Sequence, residues 1–271
     1  MLTTKTALAP EYRKRSRSYH LKSVPHGQAA ALLQAGWEHD KTLKTRTRFR
    51  KHKAHDERLE DMVWCLLHRL GYSELNEGRK LSIPIRRPGA QELSTQVDVL
   101  ARDDETVIVV ECESQGTLGR GSLQTDIGEF ASLKGSIAAA VNHHYGGEPK
   151  AKIIWILATQ NIVWSNPDLE LAKGHSIHPV TERDLTYFRE LASHLGHAAR
   201  FQFLAEFLEG QKIPALADRS VPAIRGKLGG KKCYSFVTTP GDLLKIAFVN
   251  HRTRNDPDAL LSYQPGSCVG G

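Results

Sequence analysis

Residues 96–113 read QVDVLARDDETVIVVECE, two apolar runs around a polar turn, and this stretch decides the fold. TQVDVLA (95–101) and TVIVVEC (106–112) are rich in β-branched residues, which predicts two strands, with a turn over Arg102–Glu105 between them. With the turn centred on Asp103-Asp104, Asp98 stands roughly opposite Val109. Side chains alternate along a strand, so Glu111 and Glu113 share Val109's face, and with it Asp98's. A slip of one residue moves them to the other face. On this register three carboxylates converge at one end of a strand pair whose neighbours (Val97, Val99, Val107, Ile108, Val109, Val110) are apolar. Carboxylates there cost several kcal/mol each unless a counter-charge is supplied. A divalent ion supplies it, and hard oxygen donors favour Mg²⁺ or Mn²⁺ over zinc.

Before this hairpin, KLSIPIR (80–86) reads as another strand, and Asp56–Leu70 as the clearest helix of the chain. Leu59, Met62, Val63, Leu66, Leu67 and Leu70 recur at helical spacing, Asp56 is a candidate N-cap and Gly71 a stop. Glu60 lies on the boundary of that apolar stripe. After the hairpin, SQGTLGRGS reads as a loop, followed by a helix from Leu123 to His144. KIIWILAT (152–159) is apolar throughout, as in a strand buried on both faces. A helix (Asp168–Lys173), a strand (Ile177–Val180) and a helix (Glu182–Leu195) follow. The order predicts an α/β fold, a mixed sheet flanked by helices.

The flanks differ in character. Residues 1–60 carry 14 Lys/Arg against 6 Asp/Glu, so the whole net charge of +7 resides there. A local basic patch suits a polyanion such as nucleic acid, or an anionic membrane surface. Residues 1–25 read as a basic tail, and 26–39 as a short helix with Gly36 as its stop. In KTLKTRTRFRKHK (41–53), Arg46, Arg48 and Arg50 fall on one face of an extended segment. With Lys41, Lys44, Lys51 and Lys53 they form a candidate phosphate-following surface; the alternative is an edge strand protected by charge. Beyond Gly196, a helix (His197–Leu208) leads into a Gly/Pro-rich stretch with a hairpin at Gly229-Gly230, a last ordered element at Leu243–His251, and a disordered tail over 256–271. A second, partial β-containing domain is therefore expected over 197–255.

Several classes are excluded by pattern. No apolar run approaches the ~18–20 residues that span a bilayer, and the N-terminus lacks the apolar core of a signal peptide. The four cysteines are scattered and read as reduced thiols of a cytoplasmic protein. The histidine pairs lack partners at structural-zinc spacing, GTLGRG (116–121) lacks the Lys-Ser/Thr of a phosphate loop, and no nucleophile elbow is present.

The Glu60 helix (LEDMVWCLLHRLGY), the Asp opening a strand (QVDV) and the acid ending the next (VVECE) resemble the PD-(D/E)xK nuclease superfamily, whose fold is restriction-endonuclease-like. The resemblance implies that residues 26–196 form a nuclease-like domain in which Asp98 and Glu111, with the Cys112 backbone carbonyl, hold Mg²⁺ or Mn²⁺. Glu60, Asp98, Glu111 and Glu113 would then be the catalytic set. The third position of the motif is usually Lys and here is Glu113, which implies either a second metal or lost catalysis; Lys134 is a candidate substitute. More widely, GWEHDKTLKTRTRFRK, LATQNIVWSNPDLELAK, KIPAL and GGKKCYSFVTTPGDLLKIAFVNHR resemble the N-terminal region of DGQHR-type proteins, relatives of the DndB family of DNA sulfur-modification systems, where a ParB-like domain follows. The DGQHR motif is absent from this chain. The expectation is a metal-dependent DNA endonuclease of prokaryotic defence or DNA modification, the alternative an inactive nuclease-fold DNA-binding or regulatory module. DNA, a second copy of the chain or partner subunits are the expected partners, with no membrane. A scaffold for partner proteins is a third reading.

Overall fold

The computed structural model describes residues 2–3, 5–79, 81–85, 93–103, 106–145, 152–207, 226–228, 231–236 and 245–248. They fall in two compact units, Met1–His197 and Ala198–Gly271. The first unit opens with β1 (Leu2–Thr3), α1 (Lys5–Arg15), β2 (Tyr19–Pro25), α2 (Ala29–Gln34), β3 (Glu38–Thr42), β4 (Arg46–His52) and α3 (His55–Arg69). It continues with β5 (Glu74–Asn76), β6 (Leu81–Ile85), β7 (Leu93–Val97), β8 (Val99–Arg102), β9 (Thr106–Arg120) and α4 (Gln124–Tyr145). It closes with β10 (Lys152–Val163), α5 (Asn166–Gly174), β11 (His178–Thr181) and α6 (Glu182–Leu195).

The core is a six-stranded mixed sheet in the order β1-β5-β8-β9-β10-β11. Its first four strands pair antiparallel, while β9, β10 and β11 run parallel. The strands β9 and β10 are buried on both faces over Thr106–Val110 and Ile154–Gln160, as their continuous apolar sequence requires. Helix α3 covers one face: Leu59, Trp64, Leu66 and Leu67 are at most 1% exposed, each burial stabilising by about 2 kcal/mol. The Trp64 indole N–H donates to the Asn76 carbonyl at 3.0 Å, fixing the helix over β5. On the other face Ile127, Phe130, Ile137 and Val141 of α4 pack with Val107, Val109, Trp155 and Leu157. This is the α/β arrangement expected of a restriction-endonuclease-like core. Among the described residues, no helix is long and apolar enough to cross a membrane.

The expected elements are present, with local corrections. Helix α3 begins one residue before Asp56; its cap is Ala54, whose N–H donates to Glu57 Oε2 at 3.2 Å, so Asp56 sits in the first turn rather than at the N-cap. Gly71 ends it at φ +86°, a conformation that side chains with a Cβ disfavour. Residues 1–25 are no free tail: β1 pairs with β5, α1 packs on α3, and β2 pairs with β4. The sequence SQGTLGR, expected as a loop, extends β9, and Gly119 and Arg120 pair with Ile162 and Val163 of β10 past an irregularity at Asn161. Asn161 adopts φ 59°, which an Asn tolerates.

The expected strand 95–101 is broken at Asp98. Its first half, β7, pairs with β6 in a separate two-stranded sheet, and its second half, β8, enters the main sheet. The helix expected over 26–39 is shorter, a 3₁₀ turn and α2, with Gly36 as its stop, and Glu38 and His39 open β3. Strands β2, β4 and β3 form a small antiparallel sheet with β4 in the centre, so β4 is not an edge strand.

The second unit contains α7 (Ala199–Phe207) and an antiparallel sheet of β12 (Gly226–Leu228), β13 (Lys231–Phe236) and β14 (Lys245–Phe248). Leu228 pairs with Lys231, the register of the hairpin expected around Gly229-Gly230. The segment KIPAL and the tail 256–271 lie outside the described residues.

Candidate acidic site and basic face

Asp98 occupies the residue between β7 and β8, and a clamp holds that bend. The buried Asn76 amide donates to the Asp98 and Gly78 carbonyls, each at 3.0 Å, and its Oδ1 accepts from the Leu100 N–H at 3.1 Å. Across the hairpin the pairs are Arg102↔Val107, Ala101↔Ile108, Leu100↔Val109 and Val99↔Val110. One step further, Asp98 faces Glu111, two residues from the expected Val109. A shift of two preserves parity, so Asp98, Glu111 and Glu113 do share one face. The reason for the shift is Asp103, whose Oδ1 accepts from the Thr106 N–H at 2.6 Å and which therefore opens the turn instead of occupying its centre.

The acids are half-buried and close enough to perturb one another. Burial, then the charge of Asp98 and a hydrogen bond with it, then Glu113 and Glu60, push the Glu111 carboxyl up to about 9. Burial followed by the Asp98 charge takes Glu60 up to about 7. Burial, Asp126, Asp98 and Glu129 take Glu113 to about 7. Glu111 is thus protonated at neutral pH and hydrogen-bonds to the Asp98 carboxylate, whose Oδ2 also accepts from the Cys112 N–H at 2.9 Å. Two further acids, Asp126 and Glu129 of α4, complete the negative surroundings of Glu113. Their signal in the sequence is Asp126 in the first turn of the helix that follows β9, with Glu129 three residues on.

The oxygen donors are chemically suited to Mg²⁺ or Mn²⁺, and Glu60 Oε2 is buried without a hydrogen-bond partner. Among the described residues, no three His, Cys, Asp or Glu side chains converge to hold an ion. Asp98 is taken by Glu111 and Cys112, and Glu60 Oε2 lies 3.7 Å from Arg79 Nη1.

Lys134 does not join the acids. It follows Phe130 by one turn on the buried stripe of α4, crosses the Trp155 ring at 5.2 Å, and donates to the carbonyls of His175 and Ser176 at the end of α5. The position that sequence reasoning assigns to a substitute lysine therefore serves to join α4 to the α5–β11 turn.

The basic segment divides. Thr47 and Phe49 of β4 are buried toward Val24 and Leu32, leaving Arg46, Arg48 and Arg50 on the opposite face as the period-two pattern implies. Arg46 donates to the Ser23 carbonyl, Arg48 pairs with Asp40, and Arg50 pairs with Glu38 at 3.0 Å. Lys41, opposite Arg48, and Lys44 are exposed. Lys51 lies on the other face and donates to the Ala35 carbonyl at 3.2 Å. Lys53 is withdrawn from any surface role. Its side chain is 2% exposed and donates to the carbonyls of Lys14 and Arg15 and, at 2.7 Å, to Asp61. The buried Asp61 also receives Arg15 and Arg79, a charge cluster with no periodic signature in the sequence.

No protein-family model matches the chain, and no curated protein matches it. Among solved structures, it is similar to protein VC1899 from Vibrio cholerae at 11% identity, over 72% of this chain and 52% of that one, with a TM-score of 0.35. It is also similar to Can2 from Sulfobacillus thermosulfidooxidans in complex with cyclic tetra-adenylate, at 14% identity over 69% and 50%, with a TM-score of 0.34. A third is a protein of unknown function, AF1548, at 14% identity over 51% and 76%, with a TM-score of 0.34. The chain spans about half the length of the first two.

Proposed function

We propose that this chain is a nuclease-fold module that binds nucleic acid and does not cleave it. The observation that carries the reading is the row Arg46, Arg48 and Arg50 on the outward face of a packed three-stranded sheet, joined by Lys41 on the neighbouring strand. Spaced two residues apart along β4, the arginines lie about 7 Å from one another, a spacing similar to that of successive phosphates. Glu38 and Asp40 offset part of this charge and hold the guanidiniums in place. Against cleavage stand Glu113 where the superfamily has Lys, Lys134 committed elsewhere, and an Asp98–Glu111 pair that satisfies itself with a proton.

A second reading, the metal-dependent endonuclease, is favoured by one observation. Glu60, Glu111 and Glu113 all have raised affinity for protons, and Glu60 Oε2 has no hydrogen-bond partner, so a divalent cation displacing protons would relieve the cluster. Membership of the DGQHR-type proteins, and a setting in prokaryotic defence or DNA modification, rests on the resemblance of the quoted stretches. Fluorescence anisotropy with duplex DNA in EDTA, beside incubation of supercoiled plasmid with Mg²⁺ or Mn²⁺, separates the readings. Binding with the plasmid intact is expected. Nicking by the wild type that disappears in Asp98→Asn and Glu111→Gln would replace the first reading by the second.

A further inference from the structure

A cavity of about 260 Å³ opens between α1, the turn after it, α3 and α6. Five arginines line it: Arg15, Arg17, Arg58, Arg69 and Arg189. The carboxylate among its lining residues is Asp61, already matched by Arg15, Lys53 and Arg79. Two of the arginines are structural. Arg15 is buried against Asp61, Glu11 and the Trp64 ring, and Arg69 donates to the Tyr12 hydroxyl at 2.7 Å while lying over the Tyr12 ring. The other three come from separate elements, the turn, α3 and α6, and among the described residues no carboxylate pairs with them. Three exposed guanidiniums line one small cavity without a carboxylate among them, a surplus of positive charge that an anion would neutralise.

We infer that this cavity is a binding site for a phosphate monoester. Guanidinium forks match phosphate oxygens, and a monoester carries close to two charges at neutral pH where a backbone diester carries one. The volume is below the ~300–1,000 Å³ of pockets for drug-sized ligands, which suits one phosphate with part of its sugar and excludes a duplex. A free mononucleotide and the 5′ end of a nucleic acid strand present the same group, and the test below tells them apart. This site is independent of the arginine face on β4.

Calorimetric titration with AMP, and with one short single-stranded oligonucleotide carrying either a 5′ phosphate or a 5′ hydroxyl, tests it. The wild type is compared with Arg58→Gln/Arg189→Gln, two exposed positions whose removal leaves the buried Arg15–Asp61 cluster intact. The 5′ phosphate is expected to tighten oligonucleotide binding at least tenfold, and the double variant to lose that increment with an unchanged melting temperature. Saturable AMP binding with the same sensitivity identifies a free nucleotide as sufficient; binding of the phosphorylated oligonucleotide alone identifies a strand end. The Arg46→Gln/Arg48→Gln/Arg50→Gln variant keeps the increment, so loss of the β4 face and loss of this site are told apart. Equal affinity for the two oligonucleotides without AMP binding, or equal affinity of wild type and double variant, overturns the inference.

Discussion

Asp98 and Glu111 face each other across the β8–β9 hairpin and share a proton, and the Cys112 N–H donates to the Asp98 carboxylate at 2.9 Å. This relationship has a signature in pH. Folded Glu111 titrates at about 9, against about 4.3 in an unfolded chain. The folded state then holds more protons than the unfolded state throughout that interval, so stability falls as pH rises across it. His68 and His178, which burial holds below their ordinary range, act in the opposite sense but only in the acid part of the window. Glu60 and Glu113, raised to about 7, add to the fall near pH 7, and the buried Cys65 and Cys112 thiols, raised above their ordinary range, add to it near pH 9, so the part due to Glu111 is the difference between the wild type and Glu111→Gln. The melting temperature of the wild type is expected to fall over that range at constant ionic strength, and that of Glu111→Gln to fall less steeply; parallel profiles would contradict the assignment to Glu111. A level wild-type profile would remove the proton-sharing pair.

Replacing Asp98 by Asn takes away the like charge acting on Glu111, Glu60 and Glu113 alike. Infrared or NMR titration of the carboxyls should show Glu111 returning toward the ordinary range by a unit or more. No movement of Glu111 would mean that burial alone raises it.

Asn76 positions the bend at Asp98 and was not legible as a functional residue, because one Asn in a short polar stretch carries no periodicity. Asn76→Ala orphans the Leu100 N–H and two carbonyls in a buried place. A loss of about 3 kcal/mol in denaturant unfolding is expected from groups costing about 1–3 kcal/mol each when left unpaired. A loss below about 1 kcal/mol would show that the clamp is dispensable.

Lys53 and Arg50 stand three residues apart with different fates. Asp61→Asn leaves Arg15, Lys53 and Arg79 without their shared carboxylate and should cost about 3–5 kcal/mol. Lys53→Gln should likewise lower the melting temperature, while Arg50→Gln, an exposed pair worth under about 1 kcal/mol, should barely change it. Equal melting temperatures for Lys53→Gln and Arg50→Gln would contradict the division of the basic segment.

These cases show how far the sequence reaches. Alternation fixed the face of Asp98, Glu111 and Glu113 and of the three arginines, because parity survives an error of two residues. It did not fix the register, since Asp103 can open a turn or stand inside one, and its side-chain bond to Thr106 decides which. Apolar periodicity placed α3, β9 and β10, whose burial dominates their local choices. It failed for α1, where charged residues outnumber apolar ones and Arg15 is buried by ion pairs. Lys134 shows a related limit: a lysine on a buried helical stripe can extend its ammonium to distant carbonyls, and helical phase does not say which.

The most direct test of the central claim is the salt dependence of duplex DNA affinity, measured by anisotropy in EDTA for the wild type and for Arg46→Gln/Arg48→Gln/Arg50→Gln. Three phosphate contacts contribute up to about 2.7 to the slope of log affinity against log salt. The triple variant is expected to bind at least tenfold more weakly, with a slope shallower by about 2, and to keep the wild-type melting temperature. Equal affinity and equal slope in the two proteins would contradict the claim that the β4 face holds the nucleic acid.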